Sequence, residues 1–91
     1  MTDKKVTLNN EDGLHARAAA LFVREANKYS SDISLEAHGE KVNGKSIIGI
    51  MSLGAFKGET VIIYASGADE ENAVLGLCKL IENDFVNIWL Y

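Results

Sequence analysis

Thr60-Val61-Ile62-Ile63-Tyr64-Ala65-Ser66 is the most strand-prone stretch of the chain. β-Branched and aromatic residues dominate it, and these residue types fit the pleated, half-buried surface of a sheet. A helix should follow, because Asp69 can cap a helix start and Glu70 and Glu71 complement its electropositive end. The stretch therefore predicts a strand that leads directly into a helix near the end of the chain.

Three segments upstream are predicted to be strands. In the first two, apolar residues alternate with others, which is typical of strands with one buried face: Val6 with Leu8, then Ile33, Leu35 and Ala37. The third, Lys41-Val42, follows a tight reversal at Gly39-Glu40. The reversal predicts a hairpin between the second and third of these segments.

Three helices are predicted between and after the strands. The first runs from His15 or Ala16 to about Lys28, the second is short and follows Ser46, and Gly54 is placed to stop it. Helical spacing assigns to the core Ala19, Phe22, Val23, Ala26 and Tyr29 in the first helix, and Val74, Leu77, Cys78 and Ile81 in the last. The resulting order, β-α-β-β-α-β-α, indicates an α+β fold whose four strands are covered on one face by helices.

A length of 91 residues allows one domain, expected over residues 1–84. Residues 85–91 are almost entirely apolar, whereas a chain end is usually polar and frayed. This tail could add an edge strand, pack on the domain, or contact a partner or a second copy. Packing on the domain is the interpretation we favour.

Composition excludes several classes of protein. The net charge of −4 argues against direct nucleic-acid binding, and no apolar run approaches the roughly 20 residues of a membrane span. The polar N-terminus lacks the apolar region of a signal peptide. One cysteine and two histidines favour neither an internal disulfide nor a zinc site. We expect a cytoplasmic protein that needs no metal or other cofactor.

The segment best suited to carry out chemistry is Asp12-Gly13-Leu14-His15-Ala16-Arg17-Ala18-Ala19. A turn at Gly13 delivers His15 to a helix start, where the free backbone N–H groups of Ala16 and Arg17 favour an anion. The same electropositive end disfavours an imidazolium, so His15 should be neutral and nucleophilic. Arg17 can add charge-assisted hydrogen bonds to phosphate. From the residues alone, a surface histidine or helix cap remains an alternative.

Three other side chains have simpler interpretations. Ser46 is placed to cap the short helix, His38 should be a surface residue without charged partners, and Cys78 should be an inert core thiol.

Two motifs carry a resemblance to a known family. The segment Gly13-Leu14-His15-Ala16-Arg17-Ala18-Ala19 resembles the active-site signature of HPr, the histidine phosphocarrier of the sugar phosphotransferase system. The segment from Val42 to Gly54 resembles the regulatory-serine region of the same family. One position departs from the pattern, because Ala18 replaces the usual proline. Alanine restores a backbone N–H there, and we expect phosphoryl transfer to persist with altered kinetics or partner preference.

The resemblance implies an open-faced β-sandwich with an antiparallel sheet in the order 1-4-2-3. It implies that His15 accepts a phosphoryl group on Nδ1 from phosphorylated enzyme I and donates it to enzyme IIA proteins. Arg17 would steady that group. Such a protein is a carrier without independent turnover and not an enzyme.

For Ser46 the resemblance implies phosphorylation by HPr kinase/phosphorylase and, in that state, binding to catabolite control protein A. It also implies that Ile47, Ile48 and Met51 form a partner-docking patch, with Arg24 meeting acidic partners. Core packing is the alternative for the apolar three, and a solvated charge is the alternative for Arg24.

Two related functions remain open. The first is that of a regulatory HPr paralogue acting through Ser46, although the resemblance implies that such a paralogue lacks the phosphorylatable histidine. The second is a carrier for a nitrogen-control or dihydroxyacetone-linked branch.

Overall fold

The computed structural model describes residues 1–85. Its elements follow the predicted order: β1 (Thr2–Thr7), α1 (Ala16–Ala26), β2 (Asp32–Ala37), β3 (Glu40–Asn43), α2 (Ile47–Ser52), β4 (Thr60–Ser66) and α3 (Glu70–Glu82). The first helix ends at Ala26, earlier than the predicted Lys28, and β1 reaches back to Thr2.

The strand-prone stretch at residues 60–66 lies inside the sheet. β4 pairs antiparallel with β1 on one side, where Val6 faces Val61, and with β2 on the other, where Leu35 faces Ile63. β3 completes the sheet as the hairpin partner of β2. The order β1-β4-β2-β3 and the α+β class are as predicted.

The core lies between one face of this sheet and the helices. Val61 and Ile63 are fully buried, and they belong to one buried cluster with Phe22 of α1 and Leu77 of α3. Removing a side chain of this size from water contributes roughly 1.5–3 kcal/mol. The short α2 contributes a single buried side chain, that of Ile50, to this core.

The two predicted helix caps have different outcomes. Ser46 caps α2 as predicted, since its Oγ accepts a hydrogen bond from the Gly49 amide at 3.0 Å. Asp69 occupies the N-cap position of α3, but its side chain makes no capping bond. It accepts instead from the Ser30 and Ser31 amides, at 2.9 and 3.0 Å, and from the Ser31 hydroxyl. Three donors in the turn before β2 therefore outcompete the helix end.

The predicted apolar tail begins inside the described region. Phe85 is buried, and its amide donates to the Leu80 carbonyl at 2.8 Å. Residues 86–91 lie outside the described residues, so the packing of the whole tail stays a prediction.

The prediction that His38 lacks a charged partner is wrong. His38 has a positive φ of 56° in the β2–β3 turn, and its Nε2 pairs with the Glu59 carboxylate just before β4. The hydrogen bond to Glu59 raises the pKa of His38 above its ordinary 6.5, and the same bond lowers the pKa of Glu59. The residues are 21 positions apart, so no local pattern announces the pair.

This pair should give folding a pH dependence above the ordinary pKa of histidine. Because the folded-state pKa of His38 is raised, its contribution to stability is complete below 6.5 and is lost as pH rises through the raised value. We expect an NMR titration of the His38 ring to give a midpoint above 6.5, and Glu59→Gln to return it towards that value. Equal midpoints in the two proteins would contradict the pairing.

A histidine at the start of the first helix

His15 stands at the junction between a turn and α1. Its backbone is extended, with φ −102° and ψ −174°, and its carbonyl accepts the first helical hydrogen bond, from the Ala19 amide at 2.9 Å. Its ring makes no capping bond, and the side chain is 55% exposed. The imidazole is therefore open to a partner protein.

The turn before His15 is held in place by a buried contact. Gly13 has a φ of 59°, a left-handed conformation that favours glycine. A Cβ added there would lie 2.4 Å from the Ala55 carbonyl oxygen. The next residue, Leu14, is buried and donates its amide to that same oxygen at 3.0 Å. Asn10 closes the turn by donating Nδ2 to the Gly13 carbonyl at 2.8 Å.

The first turn of α1 offers unused hydrogen-bond donors. The amides of Ala16, Arg17 and Ala18 have no acceptor among residues 1–85. Such amides, together with the helix dipole, give the helix start a partial positive charge. Ala18 adds a third N–H at a position where proline would have none.

Arg17 lies one position into the helix and is exposed. It forms no salt bridge within the described part of the chain. The role of its guanidinium towards an anion attached to His15 stays a prediction.

Sequence analysis missed Asp12, whose carboxylate lies beside Nε2 of the His15 ring. Asp12 Oδ2 lies 3.7 Å from His15 Nε2, and the Asp12 side chain is 73% exposed. The three-residue spacing between the two was a visible signal, but without coordinates nothing indicated that the turn folds both side chains to one side.

The residues predicted to dock partners are exposed. Ile48 is 83% exposed, and Ile47 and Met51 are each 43% exposed, while Ile50 anchors α2 to the core. Arg24 is exposed in the last turn of α1. The alternative that the apolar three are core residues is thus not what the structure shows.

The exposure of Phe56 was not anticipated. Phe56 is 68% exposed and belongs to the loop that packs under Gly13, where its Cα would lie 2.9 Å from an added Cβ. Its amide donates to Glu59 at 2.7 Å, which fixes the loop.

The described residues show neither a metal-binding group nor a membrane span. No cluster of three or more His, Cys, Asp or Glu within residues 1–85 is arranged to hold a metal ion. None of the helices in this region is long and apolar enough to cross a membrane.

Fold and site together define a small domain that presents one exposed histidine at a helix start. The family model for the PTS HPr component phosphorylation site matches residues 2–83. The chain belongs to the HPr family.

Individual relatives agree with that assignment. The HPr-like protein Crh of Halalkalibacterium halodurans is 45% identical over 84 residues, covering 92% of this chain and 100% of Crh. The structure of HPr-C-His from Thermoanaerobacter tengcongensis superposes with a TM-score of 0.90 at 50% identity, covering 93% of this chain and 96% of the other. HPr from Bacillus anthracis gives a TM-score of 0.84 at 44% identity, covering 88% and 95%.

The packing of Gly13 can be tested against a matched glycine. Gly54 has almost the same φ, 61°, but a Cβ there would meet nothing within 4 Å. We expect Gly54→Ala to lower the free energy of unfolding by about 1–2 kcal/mol, the cost of a left-handed alanine. Gly13→Ala adds overlap with the Ala55 backbone and should cost about 3–4 kcal/mol. Equal losses in urea denaturation would show that the Gly13 contact is unimportant.

Proposed function

We propose that this protein carries a phosphoryl group on His15, accepting it from phosphorylated enzyme I and donating it to enzyme IIA proteins during sugar uptake. The observation that supports this most strongly is the exposed imidazole at a helix start whose first amides have no acceptor within residues 1–85. Membership of the HPr family supplies the reaction type.

The transfer step needs no residue to supply or remove a proton. The lone pair of His15 Nδ1 attacks the phosphorus of the phosphorylated donor, so one N–P bond forms as the donor's bond to phosphorus breaks. The amides of Ala16 and Arg17 then bind the phosphoryl oxygens, and the Arg17 guanidinium adds charge-assisted bonds. Hydrogen bonds to a charged group contribute about 1.5–3 kcal/mol each.

The exposed position of the site favours onward transfer. Because the His15 side chain is 55% exposed, a phosphoryl group held there by amides and one arginine is accessible to a second protein. The protein is thus a carrier that forms a covalent intermediate only with the help of two partners, and it has no turnover of its own.

Docking of both partners is assigned to the patch formed by Ile47, Ile48 and Met51. An exposed apolar patch with a polar surround is typical of protein–protein contact. Arg24 is exposed in the last turn of α1, and a cation there suits acidic partners. The reaction belongs in the cytoplasm, where the soluble components of the relay would meet.

Regulation is assigned to Ser46. Its Oγ caps α2, so a phosphate there adds about −1.5 to −2 charge at a helix start. Phosphorylation by HPr kinase/phosphorylase would place this charge beside Ile47, where an anionic phosphorylated partner must approach. The phosphoserine form would also be the one that binds catabolite control protein A.

A second candidate is a regulatory paralogue that works through Ser46 alone. It is favoured by the 45% identity to Crh from two organisms. His15 argues for the carrier, since a purely regulatory protein has no use for an exposed histidine beside free amides. A carrier for a nitrogen-control or dihydroxyacetone-linked branch would use the same site, but the segment around Ser46 favours the sugar-linked type.

The two histidines of the chain provide a matched test of the carrier function. After incubation with enzyme I and labelled phosphoenolpyruvate, we expect acid-labile label on the wild type and on His38→Ala, because His38 is committed to Glu59. His15→Ala should carry no label. Labelling that persists in His15→Ala, or a wild type that takes up none, would refute the proposal.

The regulatory role of Ser46 can be separated from its structural role. Ser46→Asp keeps an acceptor at the cap and adds charge, so the protein should fold normally but accept phosphate from enzyme I with about tenfold lower kcat/KM, equivalent to about 1.4 kcal/mol. Ser46→Ala loses the cap, at about 1 kcal/mol of stability, but should be phosphorylated at the wild-type rate. Equal transfer rates for Ser46→Asp and wild type would remove the regulatory role.

A further inference from the structure

We propose that Asp12 is a positioning residue for His15: its carboxylate retains the proton on Nε2, leaves the Nδ1 lone pair to receive the phosphoryl group, and offsets the positive charge that the ring then acquires. This inference rests on the proposed carrier function and names a residue that acts through His15.

The pairing is specific within the described residues. Asp12 and its neighbour Glu11 are both exposed carboxylates in the same turn. Glu11 has a cation of its own, since the Lys57 Nζ lies 2.9 Å from its Oε1. Asp12 lies instead beside His15, with 3.7 Å between Oδ2 and Nε2.

The turn fixes both members of the pair. Gly13 and Leu14 separate Asp12 from His15, and both are buried, Gly13 against the Ala55 backbone and Leu14 in the core. His15 is also held from the other side, because its carbonyl begins α1. Two fixed backbones place the carboxylate and the ring near each other, with Oδ2 and Nε2 3.7 Å apart.

A neutral imidazole carries one proton, and only the other nitrogen has a lone pair in the ring plane that can attack phosphorus. A carboxylate beside Nε2 favours the tautomer with the proton on Nε2. Nδ1, the ring nitrogen nearer the backbone, is then the nucleophile, on the side where the amides of α1 can bind the product.

The charge balance of the step gives Asp12 a second role. When Nδ1 forms its bond to phosphorus, the proton stays on Nε2 and the ring becomes a phosphorylated imidazolium with one positive charge. The carboxylate faces that charge, while the phosphoryl oxygens face the amides and Arg17. The ring becomes neutral again when its N–P bond breaks and the phosphoryl group moves to the acceptor. No proton enters or leaves.

The tautomer can be measured without any phosphorylation. In protein with ¹⁵N-labelled histidine, at a pH where the ring is neutral, the ring-nitrogen shifts report the ratio of the Nε2–H to the Nδ1–H form. We expect Nε2–H to predominate, and Asp12→Ala to lower that ratio by about two- to fivefold, as suits an exposed pair. Glu11→Ala removes the same charge from the adjacent residue and should leave the ratio unchanged.

Transfer from enzyme I is the second readout. Asp12→Ala should lower kcat/KM by more than it lowers the fraction of the Nε2–H form, because the phosphorylated ring also loses the carboxylate that faces its charge. Glu11→Ala should stay at the wild-type rate, and both variants should unfold at the wild-type temperature. A wild-type ratio and rate in Asp12→Ala would overturn the inference and leave the carrier function standing. A wild type with the expected tautomer ratio but no phosphorylation would overturn the carrier function, and with it any role of Asp12 in transfer.

Discussion

The contact between Gly13 and the backbone of Ala55 is the constraint on which the site depends. It leaves no space for a side chain at residue 13 and sets the direction in which the chain enters α1. The same carbonyl of Ala55 binds the Leu14 amide, so Gly13 and Leu14, the two residues before His15, are held by one loop. An exposed imidazole with a fixed backbone is the result, and exposure without such support would give a mobile ring.

The electrostatics of the site follow from this placement. Unpaired amides and Arg17 make the helix start electropositive, whereas Asp12 is a carboxylate near the opposite nitrogen of the ring. The neighbours of His15 along the chain thus include groups that favour an anion and a group that favours a cation. A phosphorylated imidazolium has both charges, with the phosphoryl group on one nitrogen and the positive charge on the ring.

Sequence reasoning succeeded where the information was local. The alternation in β2, the run of β-branched residues in β4, the helical spacing of Phe22 in α1 and the Ser46 cap all depend on neighbours within a few positions. The two predictions that failed depend on distant residues: Asp69 bonds to Ser31 in the turn before β2, and His38 bonds to Glu59. Asp12 was close in sequence to His15, but its position relative to the ring depends on the left-handed Gly13. The outward direction of Ile48 came from family resemblance, because the periodicity of a six-residue helix does not choose between its faces.

The most direct measurement of the central claim is the backbone amide spectrum of α1 before and after phosphorylation by enzyme I and phosphoenolpyruvate. If the phosphoryl group on His15 is bound by the start of this helix, the amide protons of Ala16 and Arg17 will move strongly downfield, as expected for charge-assisted hydrogen bonds. Amides further along α1, such as that of Phe22, should stay in place. A spectrum in which His15 is phosphorylated while the Ala16 and Arg17 amides do not move would contradict the account.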